Sequence, residues 1–237
     1  MSETSTSMSR SALVAVAAAL LVALAVLLYV LLRPQSPGDD SVEAGFARDM
    51  SEHHAQAVQM SLQVIQASDS TDVDVLAYDI ATAQSNQLGQ MEAWLRAWDL
   101  SQARDGERMA WMDSADGEGH GADHDGATTS DEAAAATARP GDPDYRPMPG
   151  MATQAELDSL VQAEGEEAEI LYLQLMTTHH LAGVQMAQAA LDAANDGEVR
   201  RLAQAMVNGQ RSEVMLMASM LAERGAEPRE DLAALGY

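Results

Sequence analysis

Met50-Ser-Glu-His53-His54-Ala-Gln-Ala57-Val58-Gln59-Met60 returns without a gap as Met176-Thr-Thr-His179-His180-Leu-Ala-Gly183-Val184-Gln185-Met186. The offset of 126 residues also pairs Leu76 with Leu202, Gln84 with Gln210, Met91 with Met217 and Leu95 with Leu221. The chain is a duplicated unit, and its recurring residues are those with the most chemistry to offer. Around the first copy, Phe46, Met50, His53, Ala57, Met60 and Val64 repeat at three and four residues, one face of a long helix. Asp40 and Glu43 stand at capping-box spacing at its start, and Ser68-Asp-Ser-Thr-Asp72 breaks it. A partner helix over about 72–100 carries Leu76, Ile80, Ala83, Gln87, Met91 and Leu95 along its face.

The second copy repeats this plan. Thr153 and Glu156 form a second capping-box signal before a short helix to about Gln162. One long helix then covers about 164–194, Asn195-Asp-Gly197 ends it, and its partner runs over about 198–224, with Gly225 and Pro228 as stop signals. Two hairpins, neither able to bury its apolar face alone, predict an all-α four-helix bundle with approximate two-fold symmetry. Residues 113–149, rich in Gly, Ala, Asp and Ser, have no apolar period and read as a long acidic loop.

Upstream lies a different kind of sequence. Ala12–Leu32 is an uninterrupted apolar run of 21 residues between Arg10 and Arg33. At about 1.5 Å per residue it spans a hydrocarbon layer of about 30 Å. Its length, and the lack of a small-x-small site around Leu31-Leu-Arg-Pro-Gln35, favour an uncleaved anchor over a removed signal peptide. The expected organisation is a cytoplasmic tail (1–11), a transmembrane anchor (12–32), a linker (33–40) and a first hairpin (41–101). An acidic flexible loop (102–152), a second hairpin (153–225) and a C-terminal tail (226–237) follow. The protein is then a single-pass resident of the cell membrane, with most of its length extracytoplasmic.

A net charge of -24 over 237 residues argues against nucleic acid, which needs a basic surface to neutralise phosphate. Every basic residue is Arg, and there is no Cys. That excludes disulfides, thiolate zinc sites, iron–sulfur clusters and thiol nucleophiles.

The remaining metal-ligating chemistry is imidazole and thioether. Met50, His53 and Met60 fall within about an 80° arc at 100° per residue, with His54 beside it, and Met176, His179, His180 and Met186 repeat the arrangement. Met is a common core filler and a lone His is often a hydrogen-bonded core residue. A doubled Met-x2-His-His-x5-Met is harder to explain by packing, because adjacent imidazoles point in different directions. Di-iron bundles place Glu three residues before His; here Met50 and Met176 stand there. Replacing a hard carboxylate by a soft thioether favours Cu(I), with Ag(I) as its chemical mimic. Met50, His53, His54, Met60, Met176, His179, His180 and Met186 are the expected ligands. Met91, Met217, Met148, Met151, His120 and His124 are weaker candidates, and Gln84, Gln210 and Glu213 candidates to orient an imidazole.

These residues carry a resemblance. Phe46-Ala-Arg-Asp-Met50-Ser-Glu-His53-His54 with Met60, Gln84, Met91, Trp94 and Leu95 is similar to the ferritin-like domain-of-unknown-function family 305. In the second half, Met148-Pro-Gly-Met151, Met176, His179, His180, Met186, Gln210, Glu213 and Met217 carry the same likeness. The family includes periplasmic copper-binding proteins of the CopM type. The resemblance covers roughly 42–101 and 145–224, and implies a ferritin-like bundle and extracytoplasmic copper or silver binding. The chain departs from the family's pattern at Gln87, where Glu is usual, and at Met220, which replaces the Trp of the first half.

The leading expectation is therefore a membrane-anchored protein, not an enzyme, that binds copper for sequestration or tolerance. Two alternatives stand beside it. One is a haem-binding electron carrier, for which one Phe makes a poor porphyrin pocket. The other is a structural or interaction bundle whose histidines are simply buried. The sequence does not specify the oligomeric state.

Overall fold

The computed structural model of the protein describes residues 10–32, 36–103, 107–115, 142–143 and 145–229. Its described residues form seven helices and no strand. The apolar run becomes α1 (Arg10–Leu32). Its Arg10–Val30 stretch has a mean hydropathy of 3.0 and no buried residue, so by length and composition it is able to cross a membrane. The described residues from Pro37 onward form a separate compact unit.

In that unit α2 (Val42–Val64) and α3 (Thr71–Ala97) make the first hairpin. A six-residue helix, α4 (Ala110–Ala115), and a short α5 (Gln154–Gln162) precede the second hairpin, α6 (Gly165–Ala193) and α7 (Gly197–Glu223). Each hairpin packs along its own length, and the two join chiefly through α2 against α6. Met50 and Met186 share one apolar cluster while Met60 and Met176 share another, so α2 and α6 run antiparallel.

Local chemistry sets the helix ends. Thr153 and Glu156 make the expected reciprocal capping box, with N···O distances of 2.7 and 3.2 Å. The cap of α2 differs from expectation. Ser41, not Asp40, caps it by accepting from Ala44 N–H. That frees Glu43, which reaches across the molecule and accepts the backbone N–H groups of Asn195 (2.6 Å) and Asp196 (3.1 Å) in the α6–α7 turn. Glu169, 126 residues later, reciprocates: it accepts Asp69 N–H (3.1 Å) in the α2–α3 turn, Ser68 Oγ (3.1 Å) and the Arg224 guanidinium (2.7 Å). Both carboxylates are buried. Burial alone would raise the pKa of Glu169, yet these donors hold it below the ordinary range. Each hairpin thus ties down the other's turn.

Part of the expected loop folds back onto α2. Trp111 of α4 is buried edge-on to Phe46 at 5.8 Å, and a side chain at Gly45 would collide with it. Asp49 accepts the Trp111 indole N–H (2.9 Å) and the Met109 backbone N–H (2.8 Å). The Met148–Met151 turn is likewise fastened, through paired hydrogen bonds between the Gln56 amide and the Ala152 backbone. Its Gly150, at φ 74°, lies so close to Ala182 that only glycine fits.

Replacing Glu43 or Glu169 by Ala strands buried donors, so each change should lower the unfolding free energy by about 1–3 kcal/mol. Urea denaturation checks this. Wild-type midpoints for both variants would show that the clasps do not hold the hairpins together.

Candidate metal centre

The four long helices each pass through two apolar cores. One core gathers Ala57, Met60 and Val64 with Val73, Leu76, Ile80, Met176, Val214, Met217 and Leu221. The other gathers Phe46, Met50, Met91, Leu95, Met148, Met151, Met186, Val199 and Met206. Between them, at mid-height, every helix turns polar: His53 and His54 on α2, Gln84 and Gln87 on α3, His179 and His180 on α6, Gln210 and Glu213 on α7. These residues form a waist across the bundle.

The geometry of the waist follows the duplication. His53 and His179, equivalent in the repeat, stack on each other with ring centroids 3.6 Å apart and planes 32° apart. Their contact marks the approximate two-fold axis. Outside them, His54 Nε2 donates to Gln87 Oε1 at 2.7 Å and His180 Nε2 donates to Glu213 Oε2 at 2.9 Å. Gln87 and Glu213 are themselves equivalent, 126 residues apart. Gln87 also lines a shallow surface groove with Asp79 and Asn86, and the Glu213 side chain is 27% exposed. Each of these hydrogen bonds therefore runs from a fully buried ring to the solvent boundary.

The waist is poor in internal partners. Both nitrogens of His53 and His179, Nδ1 of His54 and His180, and both amide atoms of Gln84 and Gln210 are buried without a hydrogen bond. These are ten of the eleven such side-chain atoms among the described residues; the eleventh is on Asp74. An unsatisfied buried polar group costs about 1–3 kcal/mol, and a domain's net stability is only about 5–15 kcal/mol. Packing alone does not account for a layer of this kind. Burial, the largest influence, pushes the His53 and His179 pKa values well below 6.5, aided by the neighbouring imidazoles. It takes His54 to about 4, against the opposing hydrogen bond to Gln87.

The donors fit a soft or borderline cation. The unprotonated imidazoles of His53, His54 and His179 present lone pairs, and an oxygen acceptor holds Nε2–H of His54 and His180 and leaves Nδ1 as the atom for a ligand, as partner groups do for ligating histidines. Glu213 takes the orienting position anticipated for it. Gln84 and Gln210 do not, since neither amide meets an imidazole. Gln87, the departure from the family's usual Glu, takes the position equivalent to Glu213.

The thioethers are regrouped. Met50 and Met60 share a helix face but lie ten residues apart, about 15 Å along the axis. Met50 shares a core with Met186, and Met60 shares one with Met176, on either side of the waist. Met91 joins the first pair with Met148 and Met151, and Met217 joins the second. Among the described residues no three His, Asp or Glu side chains converge on one point. His120 and His124 lie outside the described residues.

Residues 43–221 match the family described as a domain of unknown function, DUF305. The chain belongs to this family. A DUF305 protein of Streptomyces coelicolor, classed by its name among secreted proteins, is 41% identical over 82% of this chain and 100% of its own, with a TM-score of 0.67. A DUF305 fragment from Deinococcus radiodurans is 29% identical over 81% of this chain and 99% of its own, at 0.58. CopM in a Cu(I)-bound form is 16% identical over 77% of this chain and 96% of its own, at 0.53, a likeness of fold. No curated protein matches the chain.

The buried imidazoles make stability depend on pH. An unfolded histidine takes up a proton near pH 6.5, whereas folded His54 resists until about 4, so between these values the unfolded state holds more protons. Stability is full above about pH 6.5 and falls as the pH drops toward 4. At about 1.4 kcal/mol per pH unit, His54 alone should contribute a loss of about 3 kcal/mol. Urea unfolding of metal-free protein at several pH values measures this, and a flat profile would contradict the buried arrangement.

Proposed function

We propose that the waist binds Cu(I), or Ag(I) as its mimic, and that the protein sequesters copper outside the cytoplasm. The observation that carries this reading is the layer of buried, unpaired imidazole nitrogens between two pairs of thioethers. His53, His54, His179 and His180 are the proposed nitrogen ligands, with Met50, Met186, Met60 and Met176 as sulfur ligands. Bound there, Cu(I) would supply soft Lewis acidity, satisfying nitrogen lone pairs and sulfur atoms that a harder ion would leave.

The chain's own residues prepare the layer. The low proton affinity of His53, His54 and His179 keeps protons from competing for the lone pairs at neutral pH. The flanking cores exclude water. The Cu(I)-bound and Ag-bound forms of CopM, at TM-scores of 0.53 and 0.51, add support because both metals are held by a protein of this fold. No catalytic role is proposed. The haem alternative is disfavoured, because two imidazoles stacked at 3.6 Å leave no gap for a macrocycle between them.

Helix α1 serves in this reading as an uncleaved anchor, with residues 37–237 outside the cytoplasmic membrane. Full-length protein of 25.2 kDa should remain in membranes washed with alkaline carbonate, whereas a shorter, soluble product would identify α1 as a removed signal sequence. Anaerobic Cu(I) titration against a competing chromophoric chelator tests the binding itself. The wild type should hold copper against dialysis, and replacing His53, His54, His179 and His180 together by Ala should abolish retention. Unchanged stoichiometry in that variant would overturn the assignment.

A further inference from the structure

The waist is symmetric in every histidine and asymmetric in charge. His54 and His180 make the same hydrogen bond from the same ring nitrogen, at 2.7 and 2.9 Å. The acceptor is an uncharged carboxamide for one, Gln87, and a carboxylate for the other, Glu213. Both rings are fully buried, and both have Nδ1 unpaired. We infer that Glu213 and Gln87 are positioning residues that make the two halves of the layer unequal, so that the first cation loads onto the His180 half. This rests on the copper-binding reading above and adds to it an order of occupation.

When a cation takes the lone pair at Nδ1, positive charge spreads over the ring and the Nε2–H bond polarises toward its acceptor. A carboxylate answers that charge with a full negative one, while a carboxamide offers only a dipole. The Glu213 side chain is 27% exposed, so solvent weakens the difference, but the direct hydrogen bond to a fully buried ring preserves part of it. Partner groups of this kind are typically worth 10–100-fold in metal affinity. An oxygen accepts from Nε2 in both cases, so exchanging the two residues changes charge while keeping shape and hydrogen-bond direction. Each orienting residue also sits on the outer helix of its hairpin, α7 or α3, where a change does not disturb the α2–α6 contact.

The test uses the full-length protein in detergent with Cu(I) under anaerobic conditions. Wild type is compared with Glu213→Gln, Gln87→Glu and the double exchange. Affinities come from chelator competition, and the order of loading from the ring-nitrogen and ring-proton resonances of 15N-histidine-labelled protein. Metal-free spectra should show a proton on Nε2 of His54 and His180 in all four proteins. Urea midpoints close to wild type would confirm intact folds.

E213Q should weaken the first binding step 10–100-fold, and Q87E should strengthen loading at His54 by a similar factor. The double exchange should move the first-perturbed resonances from His180 to His54. Equal affinities in all four proteins, or a loading order that ignores the exchange, would overturn the inference while leaving copper binding intact. Failure of every protein, wild type included, to bind Cu(I) would instead overturn the reading on which it rests.

Discussion

Burying four imidazoles at the centre of a small helical bundle is the constraint around which the rest of the structure is arranged. Water would normally satisfy those nitrogens, and here two apolar cores keep it away from above and below. The cores have to be strong to sustain such a layer. They are filled by the same recurring positions that flank the histidines, including Met50, Met60, Met176 and Met186, all essentially without exposure. Methionine suits this place twice over, as an adaptable filler of irregular gaps and as a source of polarisable sulfur in the cores that flank the imidazoles.

A layer held only by packing would slip, and reciprocal polar ties resist that. Glu43 closes over the turn of the second hairpin and Glu169 over the turn of the first, so the hairpins are fastened at both ends of the antiparallel α2–α6 contact. Ser61 and the Tyr172 hydroxyl, 2.9 Å apart, add a buried link between the same two helices. The register of α2 on α6 then fixes which residues face each other. With that register His53 meets His179, and a shift of one helical turn would set an imidazole against Met50, Ala57, Met176 or Gly183 instead. Fold and site therefore depend on the same alignment.

Much of this was legible from residue order because helical periodicity is a local property. The face of α2 through Phe46, Met50, His53, Ala57, Met60 and Val64 is buried throughout, and the capping box at Thr153 forms as its letters indicate. Where the reading shifted, the reason is geometric. The α3 face passes through Gln84, not Ala83, because adjacent residues differ by only about 100° and a small or polar side chain barely biases the choice. Glu43 left its own helix start because Ser41 was already capping it, freeing the longer side chain for a distant turn. The short helix at Trp111 lay inside the segment expected as a flexible loop, 102–152, since one large ring docking against Gly45 needs no periodicity.

The duplication, the all-α class, the membrane-length first helix and the identity of the metal-competent side chains are properties of the sequence by itself. Repeats and periods survive without any partner element. The pairing of thioethers was decided only in three dimensions. Helical phase puts Met50 and Met60 on one face but says nothing of the axial rise that separates them. Which methionine of the other hairpin shares a core with each depends on two antiparallel helices meeting at the histidines. The roles of Gln87 and Glu213 are tertiary for the same reason: a hydrogen bond between helices exists only once both have been laid side by side.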